Sequence, residues 1–466
     1  MNLRKTKTPR KENPKMMISQ KSKKEKNKNL KAKFTNETIS NNVNASYIES
    51  FMKKMGLKHI LSKEISYTKR HNAVHNTINI IDYMISAVIL GYNKFLHMND
   101  LRNDKVFKSI KGYELPDEKV CRDLLSIMPS VAVEELRRVN KVLLHLKAET
   151  ENTHRFIDID CDDTVCTVFG GQEGSAVGYN PKYHGRGSYK EKFGIITDSS
   201  ELLNATLESG KNHSNKNFLE FLKETIDNLP NKWIMRRLRV DKGFFDEATF
   251  KYCEENTYEY IAKATVRFGL KNIIETVVSN PAEYEWKRIN SIYSVTEITA
   301  ALPTWEKARR FIIVRKDIKT KETKQLKLFK DAEYTYQAIV TNIDYMTPEE
   351  IFDDYNVRCN MENKIDELKE GYSFDKNSQQ DKKCNELFLL IKMIAYNIQN
   401  WFKTAILPIE LKNKEIGTLR RIFYKVSGNI SGTGRYRHIN FAPNILLSRI
   451  IPLINNALNT FKVITT

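Results

Sequence analysis

The sequence has few cysteines for its length, and they are widely spaced. The six cysteines in a chain of 466 residues form no CxxC pair, which argues against a structural zinc site and against a disulfide framework. The longest apolar run, residues 80–92, contains Asp82 and is too short to span a bilayer. The N-terminal segment lacks the apolar stretch of a signal peptide. We therefore expect a soluble, intracellular protein without a membrane partner.

Acidic residues are outnumbered by basic ones, and the excess is concentrated at one end of the chain. The formal charge is +19; residues 1–33 hold 13 Lys and Arg against 2 Glu, a net of +11, which leaves +8 for the rest. This segment has few apolar residues and no hydrophobic period, so we predict a basic disordered tail over residues 1–44 that binds nucleic acid. A merely solubilising extension is the alternative. The remaining chain is long enough for about two or three domains.

Hydrophobic periodicity divides the rest of the chain. Between residues 45 and 150 apolar side chains recur with helical spacing, which predicts a helical domain. At residue 156 the period changes to two, and FIDIDCDDTVCTVF places Asp158, Asp160 and Asp162 on one face of a strand. Aspartates stacked in this way repel one another, so the row indicates a metal or water beside it. An exposed edge strand that uses charge against aggregation is the alternative.

A second acidic position follows a later strand. The segment RRLRV ends in Asp241, which precedes a glycine turn and a helix. In an open α/β sheet, the carboxyl ends of strands present functional groups at such places. An isolated aspartate here is more often a turn or capping residue, so the weight of Asp241 comes from its position between the other acidic motifs.

Three alternating segments between residues 281 and 346 predict a β-rich insertion that interrupts the sheet. Trp286 and Trp305 lie in or near it, and both are candidates for stacking on an unpaired base. Packing in the protein interior is the alternative for both tryptophans, and the more frequent role of such residues.

The segment YNVRCNMENKIDELKEG, residues 355–371, is the most informative stretch. We predict one helix that begins after a capping box formed by Thr347 and Glu350 and ends at Gly371. Polar residues spaced 3, 4 and 7 apart fall within an arc of roughly 60° on such a helix: Tyr355, Arg358, Glu362 and Lys369. Beside them lies a predicted buried face: Val357, Met361, Ile365 and Leu368. A solvated face with incidental charges is the alternative.

This spacing resembles the Tyr-Arg-Glu-Lys signature of the DDE transposases of bacterial insertion sequences. An Asp-x-Thr pattern at Asp162 and the runs Gly-Gln-Glu-Gly and Gly-Tyr-Asn-Pro after it are similar to that family as well. The resemblance spans about residues 45–450. It implies an α/β fold with an RNase H-like catalytic core, interrupted by a β-rich insertion and preceded by a helical N-terminal domain that binds DNA ends.

The resemblance also implies the site and its partners. The expected catalytic and metal-binding residues are Asp162, Asp241 and Glu362, with Asp160 as the reserve candidate. They would hold two Mg²⁺ ions, for which Mn²⁺ would substitute. The signature also implies residues that bind DNA phosphates: Tyr355, Arg358 and Lys369. The expected partner is double-stranded DNA, both the terminal inverted repeats of the element and the target, bound by a homodimer or larger assembly in the bacterial cytoplasm.

We therefore predict a tail over residues 1–44, an end-binding domain over 45–150, the first part of the core over 151–280, an insertion over 281–346, and the second part of the core with C-terminal helices over 347–466. The predicted function is strand cleavage and strand transfer in DNA transposition. A nuclease that hydrolyses DNA without joining it, and a catalytically silent DNA-binding regulator derived from a transposase, are the alternatives.

Overall fold

The computed structural model describes residues 38–317, 334–433 and 436–462. Of the basic disordered tail predicted over residues 1–44, residues 1–37 lie outside these ranges, as does the charged turn KTKETK. Residues 38–44 are ordered: they include a short strand, Ile39–Ser40, and the buried Val43 and Asn44, so the predicted tail extends too far in this respect. Residues Thr38–Thr466 belong to one compact unit, so the predicted divisions at residues 150, 280 and 346 fall within it and stay predictions. Within the described ranges, no helix is both long enough and apolar enough to cross a membrane.

The N-terminal part is helical, as its apolar period predicts. Its α3 helix is apolar around nearly its whole circumference, and nearly all of its residues are buried between neighbouring helices. The elements are β1 (Ile39–Ser40), α1 (Ala45–Lys54), α2 (Leu57–Glu64), α3 (Thr77–Leu90), α4 (Phe95–Arg102), α5 (Lys105–Lys111), α6 (Glu118–Ile127) and α7 (Ala132–Glu149).

The middle of the chain alternates strands and helices. The segment predicted as a strand from residue 156 is β2, and the RRLRV segment is within β6. The elements are β2 (Arg155–Thr167), β3 (Ala176–Val177), β4 (Gly187–Ile196), β5 (Glu201–Ser209), α8 (Phe218–Asp227), β6 (Trp233–Val240), a 3₁₀ turn (Lys242–Phe244), α9 (Glu247–Glu255), β7 (Glu259–Lys263) and α10 (Phe268–Ser279).

The predicted β-rich segment is present, and its strands continue the central sheet. Its elements are β8 (Lys287–Arg288), β9 (Tyr293–Ala300), β10 (Arg309–Asp317) and β11 (Tyr334–Thr341). Strand β11 pairs antiparallel with β7, and β10, β9 and β8 follow in order. The free edge of β7 accepts these strands because an unpaired edge carries a row of unsatisfied peptide groups. That residues 281–346 are an insertion into a smaller core stays a prediction.

The fold is mixed α/β: one mixed sheet of ten strands flanked by helices. The strand order is β3–β4–β2–β6–β7–β11–β10–β9–β8, and β5 pairs with β4 at the edge that β3 also occupies. Strands β2, β6 and β7 are parallel to one another, and the remaining pairs are antiparallel. One apolar core includes helices α1–α7 and the residues of β4 and β5 that face them; a second core includes α8–α10 and residues of β2, β6 and β7.

The C-terminal part begins with the capping box predicted at Thr347 and Glu350, which is confirmed. The single helix predicted over residues 347–371 is interrupted at Arg358, so that prediction is wrong in this respect. The elements are α11 (Pro348–Val357), α12 (Cys359–Tyr372), α13 (Lys382–Ala405), α14 (Ile409–Lys412), α15 (Ile416–Leu419), a π-helical turn (Arg420–Tyr424), β12 (Gly428–Thr433), β13 (Tyr436–Phe441) and α16 (Ile445–Thr460).

The interruption at Arg358 changes the predicted buried face. Met361, Ile365 and Leu368 of α12 are buried as expected, and they pack in the same core as α13. Val357 is 37% exposed, because it is the last residue of α11 and the helical register does not continue smoothly through Arg358. The predicted face is therefore confirmed for α12 and wrong for Val357.

Candidate active site

Two predicted acidic residues lie at the same edge of the sheet. The parallel pairing of β2 with β6 ends at the pair Cys161 and Val240. Asp162 is the next residue of β2, and Asp241 is the residue directly after β6. The carboxyl ends of parallel strands meet at one edge, so the two side chains are neighbours. Their charges interact, since Asp241 raises the pKa of the Asp162 carboxyl. The structure therefore brings together two of the three predicted carboxylates.

Asp162 has unusual surroundings for a carboxylate. Its side chain is 15% exposed, and burial raises its pKa to about 7, while the guanidinium of Arg358 lowers it. Arg358 Nη2 donates to Asp162 Oδ2 at 2.6 Å, and the backbone N–H of Asp163 donates to Oδ1 at 2.9 Å. The carboxylate is desolvated but held by an arginine, a combination found more often in functional sites than in surface ion pairs.

Arg358 is placed at this site by the break between α11 and α12. Its side chain is 8% exposed, and its buried Nε has no hydrogen-bond partner within the described residues. A buried guanidinium N–H without a partner carries a desolvation cost, which an acceptor such as a phosphate oxygen would offset. Arg358 therefore has donor capacity beyond its bond to Asp162.

Tyr355 lies beside these groups, one turn before Arg358 on α11. It is partly buried, and burial raises the pKa of its phenol well above the ordinary value. Arg358, Asp241 and Asp162 all contribute to that pKa, which shows that the phenol is within electrostatic reach of each. At neutral pH Tyr355 is therefore a protonated hydroxyl that can donate a hydrogen bond.

Asp241 has a local structural role as well. It caps the 3₁₀ turn after β6, where its Oδ1 accepts from the backbone N–H of Gly243 at 2.7 Å. The capping role that the sequence left open is confirmed, but it uses only one carboxylate oxygen. Among the described residues Oδ2 accepts no hydrogen bond, so it is available for a second partner.

The comparison with known families decides the classification of this chain. A family model described as "Transposase DDE domain group 1" matches residues 22–463. The chain belongs to this DDE transposase family. One similar solved structure is the piggyBac transposase synaptic complex with hairpin DNA, with 11% sequence identity and a TM-score of 0.44, covering 82% of this chain and 79% of that chain. No curated protein matched in the search.

DDE transposases use divalent metal ions, so the predicted ligands should offer donor atoms that suit such ions. Asp162 and Asp241 offer the hard oxygen donors that Mg²⁺ prefers, and Mg²⁺ requires few protein ligands because it retains water. Glu362 lies exposed in the first turn of α12. Within the described residues, no three His, Cys, Asp or Glu side chains are grouped as metal ligands. Two carboxylates fit an ion, and the third ligand stays a prediction.

Lys369 of this DDE transposase lies farther along α12 than the other signature residues. It is partly buried and lies within electrostatic reach of Cys166, near the end of β2. Burial raises the pKa of the Cys166 thiol well above its ordinary value, and the charge of Lys369 opposes that rise. The four signature residues therefore do not share one site: Tyr355 and Arg358 lie near the aspartates, Glu362 is exposed, and Lys369 lies within electrostatic reach of Cys166, farther along β2.

The aspartate row on β2 has cations beside it, but they are arginines of β6. Arg236 binds Asp158 through two bonds of 2.8 and 2.7 Å, and Arg239 binds Asp160 through two bonds of 2.6 and 3.1 Å. The metal or water expected beside the row is therefore replaced at these two positions by guanidinium groups. Asp160, the reserve candidate, is fully buried and also accepts from the hydroxyl of Thr197.

Two arginines of β6, Arg237 and Arg239, also reach the helix that carries Tyr355. Asp354, the residue before Tyr355 on α11, accepts from Arg239 at 2.8 Å and also bonds to Arg237. Sequence reasoning missed Arg237 and Arg239. The available signal was their alternation in RRLRV, which places both on one face of a strand whose neighbour carries buried acids.

The two tryptophans are partly buried. Trp305 stacks on Phe311 with a centroid distance of 5.5 Å and an interplanar angle of 17°. The ring centroids of Trp286 and Tyr336 are 6.1 Å apart, and the guanidinium of Arg315 lies 4.3 Å from the centroid of the Trp286 ring. These contacts agree with the packing alternative, and base stacking by either residue stays a prediction.

Proposed function

We propose that this DDE transposase binds the ends of a mobile DNA element and catalyses cleavage and transfer of its strands. The observation that carries the proposal is the convergence of Asp162, Asp241, Arg358 and Tyr355 at one edge of the sheet. Acidic oxygen donors beside a partly unsatisfied arginine suit a phosphodiester, which needs both a metal ligand set and a donor for its own oxygens.

The order of the first five core strands supports an RNase H-like core. Strands β5, β4 and β2 are antiparallel, and β6 and β7 then run parallel to β2. Helix α9 connects β6 to β7, and α12 follows the sheet and carries Glu362. We propose that residues 151–280 and 347–466 form this core, with residues 281–346 inserted between its parts.

Asp162, Asp241 and Glu362 would hold divalent ions, with Mg²⁺ as the physiological choice and Mn²⁺ as a substitute. Two such ions stabilise both the attacking and the leaving oxygens of an in-line displacement at a phosphodiester. Asp162 must be ionised to bind a metal ion, and the charge of Arg358 favours the ionised form. The free Nε–H of Arg358 and the hydroxyl of Tyr355 would orient the phosphate, and Lys369 would contact a phosphate farther along the strand.

The proposed partners are the terminal inverted repeats of a bacterial insertion sequence and its target DNA. Residues 45–150 would bind the ends, and the basic segment over residues 1–33 would contact DNA without sequence preference. Strand transfer joins both ends to one target, so a homodimer or larger assembly on DNA is proposed. Bacterial cytoplasm, with the nucleoid, is the proposed location.

The test uses labelled DNA that carries the sequences flanking the gene, incubated with Mg²⁺. Asp162→Asn, Asp241→Asn and Glu362→Gln should each abolish cleavage and leave DNA binding nearly unchanged, because they remove metal ligands and no phosphate donor. Asp366→Asn is the matched control, an exposed acid one turn after Glu362 on the same helix. It should cleave like the wild type.

The products distinguish the proposal from its rivals. Hydrolysis and joining by the wild-type protein support a transposase, hydrolysis alone supports a nuclease, and binding with neither supports a silent regulator. If Glu362→Gln retains wild-type cleavage while the aspartate variants lose it, the third ligand is a different residue.

A further inference from the structure

The loop between β2 and β4, residues 168–186, exposes aromatic side chains on an ordered backbone. Phe169 is 66% exposed, Tyr179 is 77% exposed and Tyr183 is 39% exposed. The other large aromatics exposed among the described residues are single: Phe156 at the start of β2, and Tyr345, whose hydroxyl donates to Glu259. Clustered exposed aromatic surface marks an interaction site more often than an isolated ring does.

The loop backbone is held at several points. Asn180 is buried; its Nδ2 donates to Thr167 Oγ1 at 2.8 Å, and its Oδ1 accepts from the backbone N–H of Tyr183 at 3.0 Å. Gly178 packs so closely that an added Cβ would lie 2.0 Å from the carbonyl oxygen of Gly210. The exposed rings therefore project from a fixed scaffold, which lowers the entropic cost of binding.

Two of the rings are already arranged against each other and against cations. Phe169 and Tyr183 meet edge to face with centroids 5.4 Å apart. The guanidinium of Arg186 lies 5.1 Å from the Phe169 centroid, and Lys182 Nζ lies 5.8 Å from the Tyr183 centroid. We call Phe169, Tyr179, Lys182, Tyr183 and Arg186 the aromatic–basic platform.

The charge of the platform favours an anionic partner. Its two cations point to the same exposed surface as the rings, and the loop contains one acid, Glu173. The Glu173 carboxylate accepts from the backbone N–H of Lys382, so it is engaged away from the platform. Aromatic rings stack on the faces of unpaired bases, and the cations between them bind the phosphate backbone. The bases of a duplex are stacked on one another, so their faces are not accessible to such rings.

The position of the platform relates it to the active site. Strand β2 pairs with β6 only up to Cys161. From Asp162 to Thr167, its only strand partner among the described residues is β4. The β2–β4 hairpin thus extends past the sheet edge where Asp162 and Asp241 meet, and the platform lies at its tip. A strand that leaves the active site along this hairpin would reach the platform.

We propose that the aromatic–basic platform binds an unpaired segment of the DNA strand next to the reacting phosphate, by stacking of its bases on Phe169, Tyr179 and Tyr183. This inference rests on the proposed function, because it assigns a DNA segment to a site defined there. The chemical class of the ligand is single-stranded DNA without sequence preference, because every base presents an aromatic face.

The test measures binding of two probes to the full-length protein: a short single-stranded oligodeoxynucleotide that carries the fluorescent adenine analogue aminopurine, and a blunt duplex of the same sequence. Phe169→Leu and Tyr183→Leu should each weaken single-strand binding by about tenfold and reduce quenching of the fluorophore. Arg186→Gln should lower the salt dependence, with the slope of log K against log salt reduced by about 0.7. Duplex binding should change little.

Phe156→Leu is the matched control, since Phe156 is 70% exposed at the opposite end of the same strand. It should bind both probes like the wild type. Equal thermal stability of all variants is expected because the substituted rings are exposed, and Tyr179→Leu, the most exposed position, provides a second variant. Unchanged single-strand affinity in all three ring variants would overturn the proposal, as would an equal loss in Phe156→Leu.

The cleavage assay separates this inference from the proposed function. If the wild type cleaves and joins DNA while the platform variants bind single strands normally, the platform assignment fails and the transposase stands. If the wild type neither cleaves nor joins but binds the single strand through these rings, the proposed function fails and the platform stands. Loss of self-association in the ring variants with intact single-strand binding would show a protein interface and overturn the platform assignment.

Discussion

Replacement of Arg239 by methionine tests whether arginines, and not metal ions, neutralise the buried aspartates of β2. Arg239 is 3% exposed, and it binds Asp160, which is fully buried, through two hydrogen bonds. Asp158 and Asp354, its other partners, keep bonds to Arg236 and Arg237. Arg239→Met therefore leaves Asp160 without a hydrogen-bonded cation, and methionine fills a similar volume.

The expected loss in the free energy of unfolding follows from that stranded charge. Removal of one partner of a buried ion pair costs about 3–5 kcal/mol. Burial raises the pKa of the Asp160 carboxyl above its ordinary value, and Arg239 opposes that rise, so the variant should show a still higher pKa. A carboxyl with a raised folded-state pKa lowers the stability of the fold as the pH rises through that pKa, so the loss should be small in acid and largest at alkaline pH.

Urea unfolding of wild type, Arg239→Met, Asp160→Asn and the double variant, each followed at acid and alkaline pH, completes a double-mutant cycle. The double variant should recover much of the loss, since it contains no unpaired carboxylate. A pH-independent loss, or a variant as stable as the wild type at alkaline pH, would refute the assignment of Arg239 as the counter-ion of Asp160. In that case Asp160 would return as a candidate metal ligand.

Three further predictions concern DNA contacts and the support of α12. Arg358→Lys should lower strand transfer by about tenfold or more while Lys369→Arg has little effect, because only the guanidinium binds two oxygens at once; equal effects of the two changes would contradict a bidentate role. Deletion of residues 1–33 should flatten the salt dependence of non-specific DNA binding without changing the melting temperature, and an unchanged slope would exclude a DNA-binding tail. Lys392→Met should destabilise the fold by about 1–3 kcal/mol, because the buried Lys392 Nζ donates to two carbonyls after α12. Glu191 and Lys392 are within electrostatic reach of each other, and burial raises the pKa of Glu191 to about 7. The loss should therefore shrink in acid, where Glu191 is neutral; a calorimetric series over pH that showed no such change would contradict this interaction between Lys392 and Glu191.

Local patterns in the sequence determined much of this protein. The alternation from residue 156 predicted β2, the capping box predicted the start of α11, and the place of Asp241 after a strand predicted its position at the sheet edge. Each of these depends on residues near one another in the chain, where periodicity and capping are set by backbone geometry. Short motifs also identified a DDE transposase, which the family model confirms, whereas the bacterial insertion-sequence group with the Tyr-Arg-Glu-Lys signature stays a prediction.

Tertiary structure decided what the acids and the signature residues contact. Asp160 and Arg239 are 79 residues apart, and only the register of β2 against β6 makes them partners. The break at Arg358 likewise turned that side chain to Asp162, 196 residues away, and left Glu362 exposed on the following helix. Strand register and the packing of a helix on a sheet depend on contacts between residues distant in sequence. The hydrophobic period of one segment therefore predicts which of its faces is polar, but not which residues that face contacts.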